Sequence, residues 1–497
     1  MKRKLCLILA VIMLLSVAAV LSSCKENTGD GASTTVTTVP QGGQNDAPVD
    51  DSHLYEDLPT GSYEGYNFQF LNNISGYAIT TIVPEKTTDT VDAAMFARNA
   101  FVKEKLGIEL TDVLMGYSEV RGTMQSLSSS NDFEYDAVYN EGYLQIALAQ
   151  NGVYLAVEDL ADTINLSKPW WFTDAMSSIA VDGKNFELFS DIQLMYYDSI
   201  WGMTFNHQDL IDNQQAFPYD LVRSGGWTFA ELEKIMKATY QRPGSEHYAV
   251  VSHKDFISAI VAASDFQLVM QDEDDVLKVF DDEERFVNVY TTLMNIFFAS
   301  NGYEKINWIA PDYSSLAYGM GKFSSDEDGW SGKFFKNKAT FMSGTIGDIR
   351  KARQCEFEYG IIPIPKYDSD QEQYISYVYQ AAASLCVPST SPNVEQTCVI
   401  LENLAAYSYK LVRHEYYEVV VQGRTVRDND SIEMLDIIFG HNGLGRTAFE
   451  IDTMYEFGFS SSIRAGMSDC IAEIMLNIDS ATGAVENGIA RVVEAYK

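Results

Sequence analysis

The sequence is poor in cysteine, histidine and basic side chains. Its 497 residues include six cysteines and six histidines, and 35 Lys and Arg stand against 70 Asp and Glu. The cysteines form no C-x-x-C pair, and the histidines show no spacing typical of a metal site. The formal net charge of -35 repels nucleic acid and anionic lipid headgroups. We therefore expect no cofactor, no metal and no nucleic-acid partner, and the charge suits a neutral or cationic ligand.

The common catalytic motifs are also missing. The sequence contains no G-x-S-x-G elbow and no P-loop. A glycosidase would need two facing carboxylates, and among the 70 acidic residues no pair stands out. We therefore expect a protein that is not an enzyme, with a surface polysaccharide hydrolase as the alternative.

The chain has one long apolar run, and it lies at the start. Residues 5–21 are almost all apolar, between the basic run Met1-Lys2-Arg3-Lys4 and the segment Leu21-Ser22-Ser23-Cys24. A charged start, an apolar core and small residues before a cut are typical of a secretory signal peptide. The last segment resembles the bacterial lipobox, which implies that residues 1–23 are removed and that Cys24 is lipidated. The alternative is a retained signal anchor, for which the run is slightly short.

The residues after Cys24 are small and polar. From 25 to about 60 the chain has hardly an apolar residue, so it cannot repay the entropy lost on folding. We expect residues 24–62 to form a disordered tether. With the lipid at Cys24, this predicts a protein anchored at the outer face of the cytoplasmic membrane, on a Gram-positive-type cell surface.

Four cysteines remain beyond the signal and the lipobox, namely Cys355, Cys386, Cys398 and Cys470. Two disulfides are possible in an oxidising compartment. Four buried thiols fit the apolar segments around them at least as well. The sequence leaves both possibilities open.

Strand and helix patterns alternate from about residue 66. In chain order they predict a strand at 66–71, a helix at 90–106, a strand at 108–114, a helix at 117–127 and a strand at 135–139. Gly107 stands where a helix C-terminal cap is expected. This order predicts an α/β fold, with a parallel sheet covered by helices.

Several short segments, in this order, resemble the extracellular solute-binding proteins of family 1, the carbohydrate branch of ABC-importer receptors. They are FVKEKLGIEL at 101–110, YDAV at 135–138, GVYLAVEDL at 152–160, MTFN at 203–206, GWTFAEL at 226–232 and KATFMSG at 338–344. Their shared order covers the chain from about residue 66 to the end. Segments 359–366 and 427–431 further resemble a lipid-anchored subgroup from Gram-positive bacteria.

The resemblance implies a two-lobed, hinged fold of the periplasmic-binding-protein type II, each lobe a mainly parallel sheet flanked by helices. It places lobe 1 at 63–195 and 363–410, and lobe 2 at 196–362 and 411–497. It implies crossovers near 191–200, 362–366 and 410. The implied partners are an ABC permease and a carbohydrate held between the lobes, bound by a monomer. A peptide, a polyamine or another cationic solute in the same fold is the alternative.

Polar residues at two strand ends are candidate ligand contacts. Asn72 and Asn73 end the first predicted strand, and Asn140 and Glu141 follow the third. Ligands of open α/β sheets bind outside the carboxyl ends of the strands. We therefore expect these four side chains at the ligand, although turn formation explains the asparagines equally well.

The resemblance adds further candidates. Tyr197, Asp198 and Trp201 lie at the first implied crossover, where they could reach the cleft or pack there. Ser343, Gly344 and Thr345 stand where relatives present backbone N–H groups and a helix start to the ligand.

Candidate stacking partners for a sugar are less clearly marked. Ile346 occupies a position where sugar-stacking relatives often have tryptophan, so Trp308, Trp330 or a tyrosine is expected to substitute. The pair Trp170-Trp171 after a proline is more typical of a packing anchor.

Overall fold

Two four-stranded sheets organise the protein. The computed structural model describes residues 52–74, 89–160, 162–239, 247–253, 255–272, 276–297, 330–417, 425–441, 443–459 and 471–497. The chain from His53 to Lys497 forms one compact unit, and both sheets belong to it. The strands in chain order are β1 Tyr66–Asn73, β2 Ile108–Met115, β3 Ala137–Glu141, β4 Trp201–Asn206, β5 Tyr248–Ser252, β6 Val269–Gln271, β7 Leu277–Val279, β8 Ala339–Thr345, β9 Tyr359–Ile362, β10 Tyr374–Tyr377, β11 Ala383–Cys386 and β12 Gly445–Ala448.

Helices cover the sheets and connect their strands. The α-helices in chain order are α1 Thr90–Leu106, α2 Tyr117–Ser130, α3 Gly142–Ala149, α4 Thr173–Ser177, α5 Met195–Asp198, α6 His207–Asp212, α7 Tyr219–Arg223, α8 Phe229–Thr239, α9 Phe256–Ala263, α10 Glu283–Phe297, α11 Trp330–Phe335, α12 Ile346–Ile349, α13 Val394–Tyr407, α14 Asn429–Ile438, α15 Ile451–Met454 and α16 Ile471–Tyr496. Short 3₁₀ turns occur at Ser52–Tyr55, Val157–Asp159 and Arg350–Gln354, and a π-helical turn at Ser408–Val412.

Local signals in the sequence set the first helix. Asp89 caps α1 by accepting the N–H groups of Val91 and Asp92 at 3.0 and 3.2 Å. Gly107 closes the helix with a φ of 70°, a left-handed conformation that glycine adopts without strain. The predicted bounds of this helix are confirmed. The third strand, predicted at 135–139, instead spans Ala137–Glu141, so that Asn140 and Glu141 are its last two residues.

The first sheet has the strand order β11-β3-β1-β2. Strand β1 runs parallel to β2 and β3, and the edge strand β11 pairs antiparallel to β3. The carboxyl ends of three strands therefore meet at one edge, beside the amino end of β11. Phe68 and Phe70 of β1 are buried in the core of the protein.

The second sheet has the order β5-β8-β4-β9. Strands β5 and β8 are parallel, and β4 pairs antiparallel to both β8 and β9. Three strands thus point one way and the central strand β4 points the other way. Two smaller sheets pair β10 with β12 and β6 with β7.

Among the described residues, the chain passes repeatedly between elements that pack on the two sheets, and we number three of these passages. Leu188 still bridges to Leu385 of β11, so the first passage lies between residue 188 and β4. The second lies between β9 and β11. The third follows α13, which packs on α1, and precedes α14, which packs on β9. The lobe boundaries implied by the resemblance stay a prediction.

The segment just before the first sheet packs on the fold. The ring of Tyr55 stacks 5.9 Å from Trp170 and 6.2 Å from Tyr407, and Leu58 is buried. Asn403 donates a hydrogen bond from Nδ2 to the carbonyl of Pro59 at 3.0 Å. The prediction of a disordered tether is wrong for residues 52–62, because three aromatic rings and a buried leucine hold this segment in place.

The structure describes only some of the residues on which the predictions of a signal sequence, a lipidated cysteine and buried thiols depend. Residues 1–51, with the signal sequence and Cys24, lie outside the described residues. None of the described helices combines the length and apolar character that a bilayer crossing needs. Cys355 and Cys386 are buried thiols and Cys398 is buried too, whereas Cys470 lies outside the described residues.

Candidate functional site

The carboxyl edge of the first sheet gathers four of the predicted residues. Asn72 and Asn73 end β1, and Asn140 and Glu141 end the neighbouring β3. All four are buried, and Asn73 Nδ2 donates to Asn140 Oδ1 at 3.0 Å. The strand-end argument thus correctly predicts that Asn73 and Asn140 lie together. Contact of the four side chains with a ligand stays a prediction.

A tyrosine next to this group was not predicted from the sequence. Tyr143 lies in the first turn of α3, two residues after Glu141. Burial raises the pKa of the Tyr143 hydroxyl, and the Glu141 carboxylate, which accepts its hydrogen bond, and Glu456 raise it further. The Tyr143 side chain is half-buried. Its place directly after a strand end was the signal that could have identified it.

Close packing fixes the start of α3. A side-chain carbon on Gly142 would lie 3.2 Å from the carbonyl oxygen of Ala382 and 3.0 Å from the methyl of Met454. The Gly142 N–H donates to the Ala382 carbonyl at 3.0 Å, and the Tyr143 N–H donates to the Gln380 carbonyl at 3.2 Å. A glycine at this position therefore lets residues 380–382 lie directly on the end of β3.

Residues 377–382, which we call the strap, connect the edges of the two sheets. At one end the strap accepts the N–H groups of α3. At the other, the Tyr379 N–H donates to the Ser199 carbonyl at 3.0 Å, just before β4. The Tyr377 hydroxyl donates to Gln380 Oε1 at 2.5 Å. The strap therefore brings the carboxyl edge of the first sheet next to the start of β4.

Trp201, a predicted site residue, packs on the strap. Its ring lies 6.2 Å from that of Tyr377 and is 1% exposed. Among the described residues, its indole N–H has no hydrogen-bond partner. The side chain is therefore next to the predicted cleft but covered in this conformation, and its contact with a ligand stays a prediction.

The matching edge of the second sheet holds Ser343, Gly344 and Thr345, the last residues of β8. The Ser343 hydroxyl donates to the Gly202 carbonyl at 3.2 Å. Thr345 Oγ1 accepts the Asp348 N–H at 3.3 Å and donates to Asp348 Oδ2 at 2.9 Å. The predicted helix start is present as α12, but both hydroxyls already bind protein atoms.

His253 adds an aromatic ring to this edge and was not predicted. It directly follows β5, beside Ser343, and its Nδ1 lies 3.1 Å from Asp255 Oδ2. Its ring lies edge-on to Tyr379 of the strap, with 6.5 Å between ring centroids. The candidate site is thus bounded by Glu141 and Tyr143 on one side, by His253 on the other, and by the strap between them.

Tyr197 and Asp198 lie at the first passage between the sheets. The Tyr197 hydroxyl donates to Asp191 Oδ1 at 2.9 Å. The Asp198 carboxylate accepts Arg350 Nη1 at 2.7 and 2.8 Å and the Tyr416 hydroxyl at 2.6 Å. Both side chains have their polar atoms bound within the protein, so the packing alternative describes them better. Ligand contact by either stays a prediction.

The tryptophans named as packing anchor or stacking partners have different places in the fold. Trp170 and Trp171 are buried, and their indole N–H groups donate to the two oxygens of Glu402 at 3.0 and 2.9 Å. This confirms that the pair is a packing anchor. Trp308 lies outside the described residues, and Trp330 begins α11.

Metal chemistry finds no support in the described part of the chain. There, no three His, Cys, Asp or Glu side chains are grouped so that they could hold a metal ion. The arrangement at the strap offers carboxylate, amide and aromatic groups, which can accept hydrogen bonds from hydroxyls and pack on C–H faces.

Comparison with known proteins finds similarity in structure but not in sequence. No family model matches the chain, and no curated protein matches it. The sugar-binding protein MalE from Xanthomonas citri is similar with a TM-score of 0.55, at 14% identity, over 86% of this chain and 97% of its own. A cyclo/maltodextrin-binding protein complexed with maltotetraose is similar at 0.53, with 12% identity, 87% of this chain and 98% of its own.

A third solved structure is UgpB from Mycobacterium tuberculosis, in complex with glycerophosphocholine. Its TM-score is 0.51 at 14% identity, over 88% of this chain and 99% of its own. At such identities the likeness shows the fold. The chain has the two-lobed α/β fold of these binding proteins, and the predicted fold class is confirmed.

Proposed function

We propose that this chain is an extracytoplasmic receptor that binds a carbohydrate between its lobes and delivers it to an ABC importer. The observation that carries the proposal is the group Asn73, Asn140, Glu141 and Tyr143 at the carboxyl edge of the first sheet, opposite His253. In open α/β sheets this edge is where ligands bind. The solved structures with this fold include a maltodextrin-binding protein with maltotetraose, which supports a sugar as the ligand.

The chemistry of the group suits hydroxyl ligands. A carboxylate accepts hydrogen bonds from two neighbouring hydroxyls, and an asparagine both accepts and donates. Tyr143 supplies an aromatic face for the C–H side of a sugar ring. The neighbours in fold are binding proteins rather than enzymes, so we propose binding without catalysis, by a monomer.

The lipid anchor belongs to the same proposal. A lipid on Cys24 would hold the receptor beside its permease and raise the local concentration of loaded receptor there. The mass of the mature N-terminal peptide tests this part, because a diacylglyceryl group on Cys24 and loss of residues 1–23 are both visible in it.

A cationic solute is the second candidate. The net charge of -35 and the carboxylates of Glu141 and Glu456 near Tyr143 favour it. Attraction between a cationic ligand and these carboxylates weakens as salt rises. Affinity that falls between low and high salt would therefore point to the cation, whereas affinity for a neutral sugar would change little.

A thermal-shift screen tests the proposal. The panel contains maltotetraose, mannotriose and other oligosaccharides, with spermidine as the competing cationic solute. A ligand at 100 times its Kd adds about 2.7 kcal/mol to the free energy of unfolding, so a binder is easily seen. We expect one or more oligosaccharides to raise the melting temperature. A shift with spermidine and with no sugar would contradict the carbohydrate assignment.

Two asparagines of the same strand provide the matched variants. Asn73 is buried at the carboxyl end of β1, and Asn67 is exposed near its amino end. Asn73→Ala should lose the sugar-induced shift, and Asn67→Ala should keep it. If both variants respond to the sugar as the parent does, the ligand binds elsewhere.

A further inference from the structure

Two arginines, one beside each sheet, hold the same two passages of the chain. The first passage includes residues 189–200 and the third includes residues 408–428, of which the structure describes 408–417 and 425–428. Arg98 lies in α1, which packs on β2 of the first sheet. Arg350 directly follows α12, which packs on β8 and β4 of the second sheet. Each side chain reaches both passages, but at different points.

Arg98 binds the beginning of both passages. Its Nη1 donates to the Ile192 carbonyl and to the Ser408 hydroxyl, both at 2.9 Å. Its Nε and Nη2 donate to Asn99 Oδ1 at 2.9 and 2.8 Å, which fixes the plane of the guanidinium. The side chain is fully buried. Burial lowers the pKa of Arg98 to about 10, so the group stays charged at neutral pH.

Arg350 binds both passages further along. Its Nη1 donates to both oxygens of Asp198 at 2.7 and 2.8 Å. The Tyr416 hydroxyl donates to the same carboxylate at 2.6 Å, and the guanidinium carbon lies 5.3 Å from the centre of the Tyr416 ring. Arg350 thus ties Asp198 of the first passage and Tyr416 of the third to the second sheet.

The backbone between the two attachment points includes the one-turn helix α5 on the first passage and a departure from α-helical geometry on the third. On the third passage it begins with the π-helical turn Ser408–Val412, a conformation that often occurs at functional sites. On the first passage the side-chain amide of Gln193 is buried and has no hydrogen-bond partner among the described residues. Each passage therefore has a short stretch that is bounded at both ends by a contact with one of the two arginines.

We propose that Arg98 and Arg350 are a pair of positioning residues that fix the two passages to their own lobes, so that the lobes turn about residues 193–197 and 409–415. This inference rests on the proposed function, because it concerns the closure of a hinged receptor. Hinge motion is absorbed by a few residues while the elements on either side move as rigid bodies. A planar guanidinium that binds two segments at once is suited to making such a boundary sharp.

Hydrogen–deuterium exchange on the ligand-free full chain tests the proposal. The variants are Arg98→Met and Arg350→Met, which keep the length of the side chain and remove its donors. Arg98→Met should speed exchange around Ile192 and Ser408. Arg350→Met should do so around Asp198 and Tyr416. We expect a change of about tenfold, because a hydrogen bond to a charged donor is lost. Arg121→Met is the control, since Arg121 is exposed on α2 and should leave both passages unchanged.

The pattern of exchange decides the result. Acceleration confined to the named segments supports the proposal. Parental rates in both passages, or acceleration spread evenly over the strands of both sheets, would overturn it and make the arginines general stabilisers. Where a methionine variant does not fold, the lysine variants replace it. Lysine should partly preserve the ion pair at Asp198 but not the double contact of Arg98, because an ammonium lacks the planar fork.

A second readout separates this proposal from the proposed function. Maltotetraose is titrated into the parent, the two methionine variants and the Arg121→Met control. If it binds the parent, the two variants should bind it several-fold more weakly, with the site residues intact, because a less defined hinge costs more to order. Equal affinity in all four proteins would contradict the role of the arginines in closure. If no sugar binds the parent, the proposed function fails. The role of the two arginines is then tested by the pattern of hydrogen exchange alone.

Discussion

The two sheets use the same number of strands but place the reversed strand differently. In the first sheet the reversed strand is β11, at the edge. In the second it is β4, in the interior. The difference decides where strand-end residues lie. Asn73 ends β1 and Asn206 ends β4, yet Asn73 lies at the candidate site and Asn206 lies at the opposite edge of its sheet.

Asn206 shows what this difference means for a residue at a strand end. Its Oδ1 accepts the N–H groups of Gln208 and Asp209 at 2.9 and 3.3 Å and so caps α6. What the second sheet presents at the candidate site is instead the start of β4, with the bulky Trp201, and the ends of β5 and β8. We therefore expect the edge of the first sheet to supply most polar contacts with the ligand, and that of the second sheet to supply mainly packing.

The largest expected effect concerns the reversed edge strand of the first sheet. The Ser384 hydroxyl of β11 donates to Glu187 Oε1 at 2.6 Å, and burial raises the pKa of Glu187 to about 8. Unfolding at a pH between its ordinary value and 8 therefore releases a proton. The contribution of this carboxyl to stability is complete below about pH 4.5 and is lost as the pH rises to 8, at about 1.4 kcal/mol per pH unit.

Glu187→Gln should remove this dependence. Urea unfolding of the parent at pH 5, 7 and 9 should give a falling free energy of unfolding, and the variant should give a flatter profile. Glu104→Gln, an exposed glutamate on α1, is the control and should follow the parent. By contrast, the reversed strand β4 is held by a neutral bond, from the Thr204 hydroxyl to the Gly360 carbonyl at 2.7 Å. If the free energy of unfolding depends on pH in the same way in the parent and in Glu187→Gln, then the Glu187 carboxyl does not distinguish the first sheet from the second.

The second largest effect is expected for Glu141, at the carboxyl edge of the first sheet. Glu141→Gln keeps the size of the side chain and removes its charge. Hydrogen bonds to charged groups are worth about 1.5–3 kcal/mol. The Kd for the sugar found in the thermal-shift screen should therefore rise about ten- to hundredfold, measured by isothermal titration calorimetry. Glu104→Gln serves again as the control. A Kd within twofold of the parent would mean that the first edge does not provide the polar contacts.

The smallest effect is expected for Thr345, at the edge of the second sheet where β8 ends. Thr345→Ala removes the cap of α12 and should cost about 1 kcal/mol of stability, within the usual range for such caps. The affinity for the sugar should stay within about twofold, because the Thr345 hydroxyl already binds Asp348. Thr345→Ser should restore stability. A tenfold loss of affinity in Thr345→Ala with normal affinity in Thr345→Ser would show that the second lobe binds the ligand through this hydroxyl.

The sequence predicts best what depends on neighbouring residues. The bounds of α1 follow from Asp89 and Gly107, and the meeting of Asn73 with Asn140 follows from the rule that parallel strands end at one edge. Contacts over long separations that do not follow from this strand-end rule were not predictable. Tyr143 lies near Glu456, and Arg98 binds Ser408, only because late parts of the chain pack beside the first sheet.

Composition was also an incomplete guide. The polar character of residues 25–60 gave no sign that Tyr55 and Leu58, near its end, are the residues that attach the chain to the fold. The two stacking partners of Tyr55, Trp170 and Tyr407, lie far away in the sequence.

The carboxylate of Glu402 makes two of the tryptophans different from the others in optical terms. Trp170 and Trp171 share one anion through their indole N–H groups, remote in sequence from the strap. Trp201, by contrast, packs directly on the strap that joins the two sheets. These three tryptophans are therefore natural chromophores in two different surroundings. One pair is sensitive to the integrity of the first lobe, and one ring is placed where a change in the strap alters its surroundings.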